Sequence, residues 1–424
     1  MSTAPLPSAS VIDLVESLAL AGRAAQRRLA QLGDARKAAG LRAAAQALRA
    51  AEAEILAANA RDIAAGEANG LTKAMLDRLR LDPGRLAGIA DAVDQVAALP
   101  DPVGETIDTT ERPNGLRLSR VRVPIGLIGI IYESRPNVTA DAAALCLRSG
   151  NAVLLRGGSE AVNSNRAIHA ALVAGLEQAG VPAEAVQLLP TQDRAAVGAM
   201  LAAAGLIDMI VPRGGKSLVA RVQADARVPV LAHLDGICHT YLHFAADPAM
   251  ARSIALNAKM RRTGICGAME TLLIDARFPD ATSVVAALID AGCELRGDAR
   301  ARSLDPRMLP ASANDWDTEY LDAILSVAVV DGLDEALEHI ARHSSHHTDA
   351  IVTADAEAAE RFLNEVDSAI VMVNASTQFA DGGEFGLGAE IGIATGRLHA
   401  RGPVALEGLT TYKWQVRGTG QVRP

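Results

Sequence analysis

Apolar and polar positions divide the chain into a helical first quarter followed by a regular alternation of strands and helices. In the first quarter, Leu41, Leu48 and Ile55 recur at helical spacing with alanines between them, a pattern typical of amphipathic helices. From residue 125 onward we predict strands at 125–131, 152–155, 186–189, 208–211 and 228–232, with helices between them at 139–148, 163–179, 194–204 and 216–226. This alternation predicts a parallel sheet with helices on both faces, which binds nucleotides at the carboxyl ends of its strands.

A second alternation begins near Gly236. Here we predict strands at 271–274, 324–330, 350–353 and 369–373, and helices at 283–291, 333–341 and 356–365. Outside these regions, Asn114-Gly115 marks a hairpin at 106–123, and we expect a strand-like stretch at 409–416 to pair with it. Because the exposed edge of such a hairpin is usually covered, we expect at least a homodimer.

Composition and charge limit the possible partners and the compartment. The 424 residues carry 41 Lys and Arg against 50 Asp and Glu, a formal charge of −9, which argues against nucleic acid or an anionic membrane as the main partner. Apolar runs end well before the roughly 18 residues of a membrane span. The four cysteines show no CxxC spacing and no signal peptide precedes them, so we expect a reduced cytoplasmic enzyme.

Cys266 is the candidate nucleophile. Gly264 and Gly267 flank it, so the backbone can turn tightly and a substrate can approach the sulfur. Three cations precede it, and they are candidates for binding an anionic substrate: Lys259, Arg261 and Arg262. Nearby positive charge favours the nucleophilic thiolate. The plainer alternatives are a buried structural cysteine and a solvated helix face for the cations.

Two glycine pairs follow predicted strands of the first sheet. They occur in Arg156-Gly157-Gly158-Ser159 and in Arg213-Gly214-Gly215-Lys216-Ser217, and the second pair precedes a predicted helix. Backbone amides at a glycine turn and a helix N-terminus bind anions, so both are candidate cofactor sites. Each could equally be an ordinary strand–helix turn.

Three long segments carry a resemblance to a known family. They are VPIGLIGIIYESRPNVTADAAALCLRSGNAVLLRGGSEA, TGICGAMETLL and EFGLGAEIGIATGRLHARGPVALEGLTTYKW. With them the chain resembles the aldehyde dehydrogenase superfamily over nearly its whole length, and within it the gamma-glutamyl phosphate reductases. The resemblance implies an α/β fold with three parts: a doubly wound parallel-sheet cofactor domain (1–105 and 124–235), a second α/β catalytic domain (236–397) and a small β oligomerisation arm (106–123 and 398–424).

The same resemblance implies roles for individual residues. Cys266 matches the catalytic cysteine, and Asn137 matches the asparagine that forms the oxyanion hole with the cysteine amide. An oxyanion donor lowers the barrier because charge develops on that oxygen only in the transition state. Glu319 matches the glutamate that holds the nicotinamide ribose. The other implied cofactor contacts are Arg156, Gly157, Gly158, Ser159, Arg213, Gly214 and Gly215.

The chain departs from the family pattern where aldehyde oxidisers carry a water-activating glutamate. The matching segment is His233-Leu234-Asp235-Gly236, without glutamate. This fits an enzyme that must not hydrolyse its thioester, and the resemblance implies reduction of L-glutamyl 5-phosphate to L-glutamate 5-semialdehyde with release of phosphate.

A second departure concerns the choice of cofactor. Many NAD-preferring members have a glutamate where this chain has Ser159, with Glu160 next to it. With Arg156 close by, we expect NADPH. An alignment shifted by one residue would restore Glu160 and favour NAD.

Two other functions remain open at this stage. One is an acylating aldehyde dehydrogenase that uses coenzyme A in place of phosphate, and the other is a non-catalytic subunit that binds nucleotide or a kinase. Association with the upstream glutamate kinase is attractive because the acyl phosphate is reactive. We expect no metal, since His343, His346 and His347 are not supported by HExxH or by paired cysteines.

Overall fold

The computed structural model describes residues 9–423, which form two compact units. The first unit runs to Ala232 and also takes in 387–392 and the chain from Val404 onward, and the second comprises 233–386 and 393–403. We predicted the boundary slightly later, after 235. Of the predicted arm, residues 106–123 and the part from Val404 onward group with the first unit, whereas 398–403 group with the second.

Helices and a hairpin come first along the chain. Their bounds are α1 (Ala9–Leu29), α2 (Asp34–Ala50), α3 (Glu52–Ala68), α4 (Lys73–Leu79), α5 (Pro83–Ala98), β1 (Thr106–Glu111) and β2 (Arg117–Pro124). Helix α5 begins with Pro83 in its first turn, and the Asp82 side chain accepts a hydrogen bond from the Arg85 amide.

A four-stranded parallel sheet forms the core of the first unit. Its strands are β3 (Leu127–Tyr132), β4 (Ala152–Gly157), β5 (Val186–Leu188) and β6 (Met209–Arg213), in the order β5-β4-β3-β6. Its helices are α6 (Val138–Arg148), α7 (Val162–Gln178), α8 (Ala195–Ala202) and α9 (Lys216–Asp225). The predicted parallel sheet is confirmed, and the chain reverses its direction of winding at β3, between β4 and β6.

The strand predicted at 228–232 is wrong. Around it, the Pro229 carbonyl accepts the Ile210 amide, the Leu231 amide donates to the Ile210 carbonyl, and Val230 forms a single bridge with Ile210. Because Pro229 has no N–H, it cannot donate to a longer ladder.

The second unit is built on a seven-stranded parallel sheet. Its elements are β7 (Cys238–Leu242), α10 (Pro248–Met260), β8 (Met269–Asp275), α11 (Ala281–Asp290), β9 (Glu294–Gly297), β10 (Leu309–Pro310), β11 (Ile324–Val330), α12 (Leu333–His343), β12 (Thr348–Val352), α13 (Ala356–Glu365) and β13 (Ile370–Val373). The strand order is β10-β9-β11-β8-β7-β12-β13. Neighbouring residues of β8 fill opposite faces, since Leu272 packs with Ala255 and Val284 while Leu273 packs with Ile340 and Phe362.

The remaining strands lie near the carboxyl end. They are β14 (Gly392–Ala394), β15 (Gly402–Val404) and β16 (Thr410–Arg417). Strand β16 pairs antiparallel with β2, so the expected pairing of tail and hairpin is confirmed. Among the helices between residues 9 and 423, none is long and apolar enough to cross a membrane.

Candidate active site

Cys266 lies at the amino end of β8, in the loop that joins α10 to this strand. Glu319 precedes β11, Gly236 precedes β7 and His347 precedes β12. These four strands are neighbours in the order β11-β8-β7-β12. Because the strands are parallel, their amino ends meet at one edge of the sheet, and residues from distant parts of the sequence gather around the thiol.

The backbone of Cys266 is held by close contacts with the segment before β7. A Cβ atom built on Gly236 would lie 2.1 Å from the Cys266 carbonyl oxygen and 2.7 Å from its Cα, so only glycine fits there. The Gly236 N–H donates to Glu319 Oε1 at 3.0 Å, and Cys238 Sγ donates to the Cys266 carbonyl at 3.1 Å. The loop that carries Cys266 (residues 261–268) and the segment that carries Glu319 are thus tied to one glycine.

Exposure separates Cys266 from the other cysteines. All four lie within the described residues, and only Cys266 is not buried. Burial raises the pKa of Cys293 to about 12 and raises the pKa values of Cys146 and Cys238 well above the usual range. Those three therefore remain thiols at neutral pH, and Cys266 is the cysteine that a substrate or reagent can reach.

Two histidines lie beside the thiol. His233 Nδ1 donates to the Ile393 carbonyl at 2.8 Å, because a carbonyl can only accept. His347 is fully buried, and burial lowers its pKa to about 3, so its ring is neutral. One ring nitrogen of each and Sγ of Cys266 all lie within 4.8 Å of one another.

The structure corrects the role expected for Lys259. Its side chain is fully buried, and its Nζ lies 2.6 Å from Oε2 of the equally buried Glu270. Glu270 Oε1 accepts the Leu321 amide at 3.3 Å, and burial raises the pKa of this carboxyl. Lys259 therefore forms a buried ion pair at the start of β8, and its ammonium group is not accessible to a phosphate group that approaches from solvent.

The other two cations, Arg261 and Arg262, are exposed. The buried Gln378 side chain donates to the carbonyls of Ala258 and Arg262 at 2.9 and 3.0 Å. These bonds fix the end of α10 and the start of the 261–268 loop. Sequence patterns gave no indication of Gln378, which lies in a short turn more than a hundred residues away.

In the first unit, Asn137 ends the loop after β3 and precedes α6. Its Nδ2 donates to Asp141 Oδ2 at 2.8 Å. Burial raises the pKa of Asp141 from its usual 3.8 to about 6, even though this hydrogen bond favours the ionised form. One N–H of the Asn137 amide is thereby oriented by Asp141, and the same group carries a second N–H.

The first glycine pair ends β4. A Cβ atom on Gly158 would lie 2.2 Å from Glu160 Oε1, so the Glu160 carboxylate folds back over this glycine. That oxygen accepts the Ser134 N–H at 2.5 Å and its hydroxyl at 2.8 Å. The Glu160 carboxylate is therefore already engaged by Ser134.

Arg156 contains an unsatisfied buried group. Its Nη2 donates to the Gln192 carbonyl at 3.4 Å, while its Nε and Gln192 Oε1 are buried without a hydrogen-bond partner among residues 9–423. Burial lowers the pKa of this guanidinium. Buried orphaned polar groups usually have a partner in the functional state, so this cluster fits a polar part of a nucleotide cofactor.

The second glycine pair joins β6 to α9. The Gly215 N–H donates to Glu133 Oε2 at 3.1 Å, so the N-terminus of α9 holds a carboxylate, the kind of group expected there. Strands β4 and β6 flank β3, and the two glycine pairs and Asn137 all follow the carboxyl ends of these strands. In an open α/β sheet this is where nucleotides bind.

Comparisons with known proteins identify the family to which this fold belongs. The model of the aldehyde dehydrogenase family matches residues 4–305. A gamma-glutamyl phosphate reductase of Novosphingobium aromaticivorans is 77% identical over the whole of both chains, and one of Sphingopyxis alaskensis is 72% identical over 97% of this chain and 96% of its own. The crystal structure of gamma-glutamyl phosphate reductase from Thermotoga maritima is 42% identical, covers 97% of this chain and 100% of its own, and superposes with a TM-score of 0.95. The chain therefore belongs to the aldehyde dehydrogenase family, within its group of gamma-glutamyl phosphate reductases.

Proposed function

We propose that this oxidoreductase reduces L-glutamyl 5-phosphate to L-glutamate 5-semialdehyde and inorganic phosphate with NADPH, in proline biosynthesis. Relatives with up to 77% sequence identity are named gamma-glutamyl phosphate reductase, and this name supports the proposed substrate. The observation that carries the chemistry is the accessible Cys266, whose backbone is held by Gly236 and Cys238 at the amino edge of a sheet. The other three cysteines are buried thiols and cannot substitute for it.

The reaction proceeds in two stages. The Cys266 thiolate attacks the acyl carbon, a carbon–sulfur bond forms, and the carbon–oxygen bond to phosphate breaks, so that phosphate leaves with its electron pair. When bound, the nicotinamide cofactor supplies the hydride that reduces the thioester. Collapse of the resulting thiohemiacetal expels the thiolate and gives the aldehyde.

Asn137 has the role of stabilising the oxyanion. A donor contributes most when it needs no reorientation as charge develops. The bond from Asn137 Nδ2 to Asp141 supports this role, because it fixes the amide plane and leaves the second N–H for the substrate. Removing one such donor costs roughly 10²–10³ in kcat.

The preference for NADPH rests on two neighbours of the first glycine pair. Arg156 has an unsatisfied buried Nε, and a guanidinium suits the 2′-phosphate of NADPH. Glu160, which would bind the two ribose hydroxyls of NAD, is held by Ser134. The proposed contact with the adenosine ribose and its 2′-phosphate also includes Gly157, Gly158 and Ser159.

Further cofactor contacts come from two other segments. Arg213, Gly214 and Gly215 are assigned to the pyrophosphate, and Glu319 to the nicotinamide ribose. The carboxylate that Gly215 holds supports the first assignment, because the same amide could bind a phosphate oxygen.

Arg261 and Arg262 are the proposed phosphate and carboxylate ligands, since they are the exposed cations of this segment. The second unit lacks the family's water-activating glutamate at 233–236, and this protects the thioester from hydrolysis.

We further propose that the protein forms a homo-oligomer through β16, which exposes Tyr412, Trp414 and Val416. Cytoplasmic location and association with glutamate kinase stay predictions.

The proposed function is tested by the reverse reaction. NADP⁺ reduction with glutamate 5-semialdehyde is followed with no acceptor, with inorganic phosphate and with coenzyme A, for wild type, Cys266→Ala and Gly264→Ala. We expect strict phosphate dependence that Cys266→Ala abolishes and Gly264→Ala keeps, since a Cβ at Gly264 meets its nearest atom at an ordinary 3.7 Å. Turnover with coenzyme A alone would identify the acylating alternative, and turnover without any acceptor would mean that water completes the cycle.

A further inference from the structure

We propose that Cys266, His233 and His347 form a binding site for Zn²⁺, and that the bound metal reversibly blocks the catalytic thiol. One ring nitrogen from each histidine and Sγ of Cys266 lie within 4.8 Å of one another. These ligands come from three separate segments of the second unit, so no local spacing in the sequence indicates them.

The set of donors suits zinc. Thiolate and imidazole are the preferred ligands of Zn²⁺. In a tetrahedral site with bonds of 2.0–2.3 Å, sulfur and nitrogen lie about 3.5 Å apart. The three atoms would therefore approach one another by up to about 1 Å, through side-chain rotation of the partly exposed Cys266 and His233.

The surroundings of His233 are those of a metal ligand. Its Nδ1 donates to the Ile393 carbonyl at 2.8 Å. A neutral ring that donates from Nδ1 carries its lone pair on Nε2, and metal-ligating histidines almost always have such a second hydrogen bond. This bond orients the ring and raises its basicity.

His347 supplies an independent indication. The residue is fully buried, and its Nδ1 lies 2.9 Å from Thr348 Oγ1. Its Nε2 is buried without a hydrogen-bond partner in the part of the chain that the structure describes. A buried nitrogen without a partner is costly, and coordination of a metal removes that cost.

Zinc at this site has a direct consequence for the proposed reaction. The thiol must lose its proton to bind the metal, and a sulfur electron pair committed to Zn²⁺ is not available to attack an acyl carbon. The partly exposed side of Cys266 leaves the fourth coordination position to water. The site is therefore inhibitory, and a chelator restores the thiol.

The test uses the intact, reduced protein after removal of metals by a chelator. Zn²⁺ is added at known free concentrations, and alkylation of Cys266 by iodoacetamide is followed by mass spectrometry of its peptide. Because only metal-free thiol reacts, free Zn²⁺ at about ten times its dissociation constant should slow alkylation roughly tenfold, and excess chelator should reverse this. With Co²⁺ in place of Zn²⁺, we expect a thiolate-to-cobalt charge-transfer band.

Three variants distinguish a three-residue zinc site from zinc binding by the Cys266 thiol alone. His233→Gln and His347→Gln each remove one ligand, and the zinc affinity should fall by more than the roughly 10- to 100-fold that an outer partner contributes. His346→Asn is the matched control, because this exposed neighbour has a φ of 59° that asparagine tolerates. It should bind zinc as the wild type does.

Unchanged alkylation in the presence of Zn²⁺ would overturn the proposal. The same holds if either histidine variant, shown to be folded by circular dichroism, protects Cys266 as well as the wild type, since the thiol alone would then bind the metal. His233 is only partly buried, so its variant keeps the test decisive if His347→Gln fails to fold. None of these readouts depends on the substrate proposed above.

Discussion

Replacing Gly236 by alanine should disable the nucleophile without touching a reacting group. The added methyl would lie 2.1 Å from the Cys266 carbonyl oxygen and 2.7 Å from its Cα, both backbone atoms that cannot rotate away. Ordinary contacts begin near 3.4 Å, so the Cys266 backbone must shift by about 1 Å. Misplacement by that distance costs roughly 10²-fold in rate, and overpacking of this kind costs about 1–3 kcal/mol of stability.

The assay compares three quantities for wild type, Gly236→Ala and Gly264→Ala: kcat, the rate of Cys266 alkylation and the urea midpoint. Gly264 also flanks the nucleophile, but its added methyl meets nothing closer than 3.7 Å. We expect a roughly hundredfold loss of kcat for Gly236→Ala and near wild-type values for Gly264→Ala. The reasoning is refuted if Gly236→Ala turns over as fast as the wild type, or if both variants lose activity equally.

Three further predictions concern buried charges and the cofactor. Burial raises the pKa of Asp141 from 3.8 to about 6, which corresponds to roughly 3 kcal/mol. Because the folded protein holds this proton more tightly than the unfolded chain, stability is lost as the pH rises through 6. Asp141→Asn should therefore be more stable than the wild type by up to that amount at pH 8, and the difference should shrink toward pH 4. The Lys259→Met variant should lose about 3–5 kcal/mol of its free energy of unfolding in urea, because it leaves the Glu270 carboxyl unpaired in the interior. Adding Glu270→Leu should recover most of the loss. Equal stability of the single and double variants would contradict this. The Arg156→Gln variant should raise the KM for NADPH roughly 10- to 100-fold, which corresponds to the loss of a charge-assisted hydrogen bond, and should leave the KM for NADH nearly unchanged. An equal rise for both cofactors would show that Arg156 does not bind the 2′-phosphate.

Apolar runs were sufficient to predict most of the two sheets. Strand β11 and helix α13 lie at their predicted bounds. The four strands of the first sheet differ from their predicted bounds by a few residues, and the fifth strand predicted there, at 228–232, does not form. Strand β7 was missed because Cys238–Leu242 contains His239 and Thr240, which read as polar although both are buried. His239 is accommodated by Asp349, which accepts both its amide and its Nδ1 at 2.9 Å, and no local pattern connects residues 110 positions apart.

The missing strand also explains what was not predicted about the site. Without β7 in the sheet order, Gly236 and His233 could not be placed beside Cys266, nor could His347 at the start of β12. Lys259 was misread for a different reason: its partner Glu270 lies on the far side of the 261–268 loop, and the sequence does not show that this loop brings the two side chains together. Motif resemblance named the candidate residues, whereas the contacts that hold their loops in place join residues far apart in the sequence.

The position of Cys266 at the amino edge of the second sheet bears on how the protein is made. The residues that hold its loop run from Gly236 to Gln378, so a ribosome must release nearly the whole second unit before they can meet. Contacts of such long sequence separation form late in folding. In a nascent or truncated chain these contacts are missing, and the Cys266 loop takes its final position only in the finished domain.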